Sequence, residues 1–363
     1  MAERSLVVVA MSGGVDSSVA AALMVEQGYQ VIGLMLRLWA EPGPTANRCC
    51  TPDAVADARR VADQLGIPFY VRDYRDVFKK TVVDYFTQSY AHGLTPNPCI
   101  VCNEKVRFGQ LLDEALALGA SHLVTGHYAR LRQIAEGDYQ ILKGIDRSKD
   151  QSYVLYRLTQ EQLTHILFPM GDYVKLDVRA MARERGLPVF EQVDSQDLCF
   201  VGDGDYRQFL ARHLPDAVRP GPLLDTAGQV LGQHRGLPHY TVGQRKGLGI
   251  AAPQPHYVLR LDVAGNAVIV GTAEELGRRQ LTASQVTTIT GRPLPSPLDI
   301  TAKIRYQATD SPAVLTCLPG RRAHLHFGRP LRDIAPGQSV VFYQDDVLLG
   351  GGVIEPENID HAT

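Results

Sequence analysis

Through roughly the first 200 positions, short β-branched runs alternate with longer amphipathic segments, the pattern of βα units laid on a parallel sheet. Leu6–Ala10 is apolar without interruption, which predicts a strand buried on both faces. The loop Ser12-Gly13-Gly14-Val15-Asp16-Ser17 follows and leads into an Ala-rich helix stopped near Gly28; Val31–Leu36 is the next strand. Thr51 reads as an N-cap with Pro52 at the first helical position, opening a helix that runs to Gly66, and Phe69–Arg72 is a third strand. A helix around Asp76–Ala91 precedes the Pro-bracketed loop Thr95-Pro96-Asn97-Pro98-Cys99. A helix from about Asn103 to Leu118 and a strand Leu123–Thr125 come next, the latter ending in the loop Gly126-His127-Tyr128. The fold class predicted is α/β, with a doubly wound parallel sheet at the N-terminal end.

From about residue 205 the rhythm changes. Gly and Pro become dense, and helical periodicity is confined to Tyr206–His213. Beyond residue 278 the chain predicts short strands at Asp299–Tyr306, Ala313–Cys317, His324–Phe327 and Ser339–Tyr343, separated by Gly/Pro turns, the signature of a small β-barrel. Three domains are expected, at 1–204, 205–277 and 278–363.

Composition narrows the class without choosing a function. The chain has 363 residues, 45% of them hydrophobic, which excludes intrinsic disorder as its main state. No stretch reaches the ~20 apolar residues that cross a bilayer, and the run Leu6–Met11 is too short for a signal segment, so a cytoplasmic protein is expected. With 37 Lys+Arg against 39 Asp+Glu the net charge is −2, so the overall electrostatic footprint of a nucleic-acid binder is absent. Six cysteines, at 49, 50, 99, 102, 199 and 317, read as metal binding or catalysis in a long chain of this kind.

The loop Ser12–Ser17 lies where free backbone N–H groups and the helix dipole favour an anion. Its glycines let a phosphate approach the backbone, its serines can donate to phosphate oxygens, and Asp16 can hold Mg²⁺. A tight turn in which glycine serves geometry alone is the plain alternative. The loop lacks both the Gly-Lys-Ser/Thr ending of a Walker loop and the Gly-x-Gly-x-x-Gly of a dinucleotide fold. Its Ser-Gly-Gly-x-Asp-Ser reading resembles the PP-loop ATP pyrophosphatases, which cleave ATP between the α and β phosphates to adenylate a substrate. The resemblance implies ATP and Mg²⁺ as cofactors and a nucleotide site made by Ala10, Met11, Ser12, Gly13, Gly14, Val15, Asp16 and Ser17. Leu36 takes the place of a nucleotide-contacting backbone position, and Gly126 lines the adenosine site. Several activities share this loop, so it does not choose the substrate.

Motifs spread along the chain do. Thr95–Asn103, Thr125-Gly126-His127-Tyr128-Ala129-Arg130, Lys149-Asp150-Gln151-Ser152-Tyr153, Asp194-Ser195-Gln196-Asp197-Leu198-Cys199-Phe200 and Tyr240–Gly249 together are similar to the tRNA-specific 2-thiouridylase family over essentially all 363 residues. The resemblance implies ATP-dependent replacement of the C2 oxygen of the wobble uridine by sulfur in tRNAs for Lys, Glu and Gln. The chemistry is coherent: a uridine C2 carbonyl is a poor electrophile, adenylation turns its oxygen into a good leaving group, and a cysteine carries the sulfur nucleophile. By the same resemblance Cys199 bears the persulfide and Cys102 is its partner nucleophile, with release of sulfide or closure of a disulfide as alternative outcomes. Cys99 has two readings: a spectator, or a third thiolate with Cys102 and Cys199 on an iron–sulfur cluster. Zinc shared with Cys49-Cys50 is a further option, and Cys317 reads as a small buried apolar residue. A cysteine desulfurase or sulfur-relay protein is implied as donor, and a monomer is the default.

The family's tRNA-contact positions fall on Asn97, Pro98, Cys99, His127, Lys149, Asp150, Gln151, Arg305, Tyr306 and Gln338, and the middle domain is assigned to tRNA binding. Arg245-Lys246, Arg130 and Arg132 read either as phosphate contacts or as solvated surface charge. The target uridine must be unstacked, which favours an anticodon loop over a duplex. RNA is expected to order the loops Pro98–Cys102 and Ser195–Phe200 over the site. Two other classes stay open: a PP-loop synthetase acting on a small metabolite, and an RNA-binding or redox module with a relic loop. One departure from the family pattern is Arg37-Leu38-Trp39-Ala40-Glu41-Pro42 followed by Cys49-Cys50, where relatives carry an acidic cluster.

Overall fold

The computed structural model describes residues 5–39, 51–134, 137–192, 198–201 and 205–357. Cys49, Cys50 and the Asp194–Asp197 part of the Asp-Ser-Gln-Asp-Leu-Cys motif lie outside the described residues.

The N-terminal sheet contains β1 (Leu6–Ala10), β2 (Gln30–Arg37), β3 (Phe69–Asp73), β4 (His122–Val124) and a short β-strand, Ile166–Leu167, at its edge. They pair in the order β3-β2-β1-β4 and then Ile166–Leu167, all parallel. Alternation along β1 builds two cores. Val7 and Val9 face α1 (Val15–Glu26), α2 (Pro52–Leu65) and the helix Lys175–Glu184 through Val19, Ala20, Val61 and Val178. Val8 faces the other way, onto Leu111, Leu112, Leu123 and Tyr153. Burying each such side chain contributes about 1.5–3 kcal/mol, which fixes β1 at the centre of a doubly wound domain. The strand order reverses at β1, between β2 and β4, where open α/β sheets place their ligands.

Local signals explain the helix boundaries. Thr51 Oγ1 accepts from the Ala54 N–H at 3.1 Å, Pro52 opens α2, and Gly66 ends it at φ +67°. The segment 98–117 differs from the expectation. It becomes helical at Pro98 instead of Asn103, because Asn97 caps it (Oδ1 accepts from Ile100 N–H at 3.4 Å) and Pro98 occupies the first turn. Cys99 and Cys102 therefore stand on a helix, and the loop expected at Pro98–Cys102 does not exist. From Cys102 to Gln110 the turns widen to the i→i+5 pattern of a π-helix.

The helix Tyr206–His213 leads to a four-stranded sheet over Gly221–Leu224, Val230–His234, Tyr257–Asp262 and Ala267–Gly271, closed on a small core of Leu223, Tyr240, Val258, Val268 and Val270. The final unit is a barrel of six strands: Arg278–Thr288, Leu298–Lys303, Ser311–Leu318, Arg322–Leu331, Ser339–Gln344 and Val347–Ile354, the first pairing with the last. The expected strand Asp299–Tyr306 stops at Lys303, so Arg305 and Tyr306 lie in the turn beyond it. Cys317 is exposed, contrary to its reading as a buried residue. A hairpin from the N-terminal half, Ala129–Gln133 and Tyr139–Lys143, extends the barrel sheet by pairing Leu142 with Val347. The barrel also touches the cysteine segment directly: Thr95 N–H donates to Pro336 O at 2.8 Å.

Candidate active site

The loop after β1 has the shape its glycines allow. Gly13 sits at φ +79°, and a Cβ there would lie 2.5 Å from Ala54 O, so only glycine permits this approach to α2. Ser17 Oγ and Ser18 Oγ donate to Gly14 O at 3.2 and 2.8 Å, and Ser12 N–H donates to Ser17 Oγ at 3.1 Å. No side chain caps α1, which leaves its first turn open to an anion.

Asp16, in that first turn, takes hydrogen bonds from Tyr128 OH at 2.7 Å and from Lys175 Nζ at 2.6 and 2.8 Å. Lys175 is buried and begins the helix Lys175–Glu184, where its N–H donates to Asp146. Gly126 packs on this turn: a Cβ would lie 3.0 Å from Asp16 Cβ and from Ser17 N. Sequence reasoning missed Lys175, which is 159 residues from Asp16 and belongs to no motif.

At the ends of β1 and β2 lies a cavity of about 210 Å³. Ala10, Met11, Ser12 and Leu36 line it, as do Cys99, Cys102 and Cys199, so the strand ends and three of the cysteines meet at one place. Leu34, Met35, Phe78, Val82 and Phe200 make it largely apolar, suited to a flat heteroaromatic ring. Cys102 and Cys199 are half-buried and Cys99 is exposed. Among the described residues no three His, Cys, Asp or Glu side chains gather closely enough to hold a metal ion.

The residues expected at tRNA divide into accessible and inaccessible ones. Tyr306 is 36% exposed, and burial, with Asp150 and Cys99 adding to the effect, pushes its hydroxyl up to about 12. Gln151 holds the Tyr306 hydroxyl and accepts from Tyr128 N–H at 3.0 Å. Arg305 is exposed and pairs with Asp333 at 2.7 Å, and Lys149 is half-buried in the neighbouring turn. Asn97 and Pro98 serve as helix cap and first turn. Gln338 is half-buried, with its Oε1 buried and without a hydrogen-bond partner. Two of these polar positions are buried. Asp150 is 6% exposed and accepts from Gly144 N–H, Ser152 N–H and Ser152 Oγ, and Lys303 reaches it at 3.4 Å, so it ties a turn together. His127 is 5% exposed between Phe108 and Phe168. Burial, with Arg107 second, holds its imidazole well below the usual range, so it is neutral at pH 7.

The sheet order, the loop at its switch point and the thiols beside it define a PP-loop protein of the HUP class. Comparison with known families agrees along the chain. Residues 5–203 match the family model described as the tRNA methyl transferase HUP domain, 207–272 the tRNA methyl transferase PRC-barrel domain, and 278–354 the aminomethyltransferase β-barrel domain. The tRNA-specific 2-thiouridylase MnmA of Moorella thermoacetica is 53% identical over 351 residues, 96% of this chain and 98% of the relative. The protein of that name from Pelotomaculum thermopropionicum is 49% identical over 359 residues, 97% of this chain and 98% of the relative. The chain belongs to the tRNA-specific 2-thiouridylase family, a family of tRNA-modifying enzymes.

Proposed function

We propose that this enzyme replaces the C2 oxygen of the wobble uridine with sulfur in tRNAs for Lys, Glu and Gln, at the cost of ATP cleaved to AMP and diphosphate. The observation that carries the reading is the shared cavity, where Cys102 and Cys199 stand within the same walls as Ser12 and Leu36. The adenine ring takes the apolar cavity, and the phosphates lie over Ser12–Ser17 at the open N-terminus of α1. Lys175, Asp16 and Tyr128 form the charged rim of that loop. Magnesium, when bound with ATP, neutralises the polyphosphate, and Asp16 is the carboxylate placed to hold it.

The uridine O2 attacks the α-phosphorus and diphosphate leaves. A terminal sulfur, carried as a persulfide on Cys199 by a desulfurase or relay protein, is then released. Cys102 thiolate attacks the Cys199 sulfur, sulfide departs, and a Cys102–Cys199 disulfide remains for an external thiol to reduce. Sulfide adds to C2, and the C2–O bond breaks with AMP as leaving group. Direct attack of the persulfide on C2, with Cys102 closing the disulfide afterwards, reaches the same products. On this reading Tyr306, Gln151, Lys149 and Arg305, none of them fully buried, meet the unstacked anticodon base. The enzyme, on the same reading, works as a monomer in the cytoplasm.

The iron–sulfur alternative fits this arrangement poorly. Cys99 lines the same cavity but is exposed where Cys102 and Cys199 are half-buried, and among the described residues the three thiols do not gather closely enough to hold a metal ion. The test is ATP-dependent thiolation of an unmodified tRNA-Lys transcript with a persulfide donor, with and without iron chelation. Cys102→Ser and Cys199→Ser should abolish thiolation and leave ATP binding intact, whereas Cys99→Ser should retain it. Thiolation by Cys199→Ser would remove the persulfide relay. Activity lost on chelation and in Cys99→Ser would establish the cluster route, and diphosphate release driven by a small acid or amine instead of tRNA would make the chain a metabolite synthetase.

A further inference from the structure

We propose that Arg107 binds the α-phosphate of the nucleotide, and of the AMP leaving group, and that His127 is the positioning residue holding its guanidinium toward the cavity. The proposal rests on the ATP reading of that cavity and assigns one side chain within it.

Arg107 is the one cation among the described residues lining the cavity, and none of those residues is acidic. Among the described residues no carboxylate pairs with it. A guanidinium half-buried against apolar walls without a counter-charge is costly, and a bound anion removes that cost. Its place on the helix follows from the widened turns. Arg107 stands five positions after Cys102, and an i→i+5 helix sets them about one turn apart on nearly the same side, whereas α-helical turns would swing Arg107 well away. Both line the cavity as a result.

His127 fixes the direction of the guanidinium. Arg107 Nη1 lies 3.4 Å from His127 Nε2, and His127 Nδ1 lies 2.7 Å from Thr125 Oγ1. An arginine can only donate, so Nε2 is the acceptor and Nδ1–H donates to Thr125, the tautomer a neutral ring requires. Burial between Phe108 and Phe168 keeps the ring neutral and immobile. The contact takes one N–H of the five on Arg107, leaving a bidentate face for phosphate oxygens.

Calorimetric titration of the intact protein with AMP and, separately, adenosine tests this. The wild type should bind both. Arg107→Gln should weaken AMP binding about 10- to 100-fold, the loss of a charge-assisted phosphate contact, with adenosine affinity unchanged. Arg107→Lys should recover part of the AMP affinity. His127→Leu should weaken AMP several-fold and spare adenosine, and His127→Gln, which keeps an acceptor, should restore it; unchanged adenosine binding shows that each variant is folded. Equal AMP affinity in wild type and Arg107→Gln overturns the assignment of Arg107. A wild type that binds neither ligand overturns the ATP reading itself, and the assignment with it.

Discussion

Lys175→Met removes the ammonium from Asp16 while keeping a stem of similar length, so it isolates charge from packing. In the folded chain Lys175 Nζ donates to both Asp16 oxygens, at 2.6 and 2.8 Å, with the lysine side chain 10% and the aspartate side chain 31% exposed. A hydrogen bond to a charged group contributes about 1.5–3 kcal/mol. Because water reaches a third of the carboxylate and Tyr128 OH stays on it, the expected loss lies at the low end, about 1–2 kcal/mol. The measurement is a double-mutant cycle with Asp16→Asn. Trp39 is the sole tryptophan and packs edge-on to Phe209 at 5.9 Å, so its fluorescence follows urea unfolding at this end of the molecule. Each single variant should shift the midpoint down, and the double variant should lose about 1–2 kcal/mol less than the two losses added. A coupling below about 0.3 kcal/mol would refute the reasoning, since it would mean the pair behaves as solvated surface charges do.

Gly337→Ala should destabilise by about 1–3 kcal/mol, because φ is +89° and the new Cβ would lie 2.8 Å from Leu94 Cβ and 2.9 Å from Thr95 N. The strain falls on the segment that enters the Cys99–Cys102 helix, so thiolation should slow while adenosine binding is kept; an unchanged melting temperature and rate would contradict this. Neutral, buried His127 sets a pH dependence: the unfolded ring gains a proton near 6.5 and the folded ring resists it, so stability is full above that pH. Below it, stability falls by up to about 1.4 kcal/mol per pH unit. His122, His234 and His239 are lowered by burial too and add to the slope, so the comparison is between wild type and His127→Phe from pH 7.5 to 5.5, where the variant should be flatter.

Periodicity and punctuation carried most of the sheet. The apolar run Leu6–Ala10, the cap and proline at Thr51-Pro52 and the stop at Gly66 are local, and each is readable without knowing what packs on it. The Asn97-Pro98 pair is a cap signature of the same kind, but a second proline at 96 gave it the look of a loop, and the start of the cysteine helix was lost. Lys175 and Arg107 were illegible for another reason. A cation announces its partner only when the fold brings the two together, and Asp16 and His127 are remote from them in sequence. Burial of His127 and Asp150 depends likewise on distant residues, Phe168 for one and Lys303 for the other, so it is not readable from their motifs alone. Cys317 continues the inward phase of Ser311, Ala313 and Leu315, and it is exposed because it stands one residue from the end of its strand, where alternation no longer decides burial.

The hairpin Ala129–Lys143 imposes an order on how this molecule comes into being. Its outer partner, the strand at Val347, lies about 200 residues downstream, which at ~5–20 residues per second is about 10–40 s of synthesis. For that interval Leu142 and its neighbours wait with an unclaimed edge beside a sheet that already holds the phosphate loop. Arg130, which finally clamps Asp346 at 3.0 Å, has until then only Lys143 O of its own hairpin to hold, at 2.9 Å. The nascent chain thus passes through a stage in which the nucleotide half is largely formed and one of its own strands is still soliciting a neighbour, the period when pairing with another chain competes with self-completion.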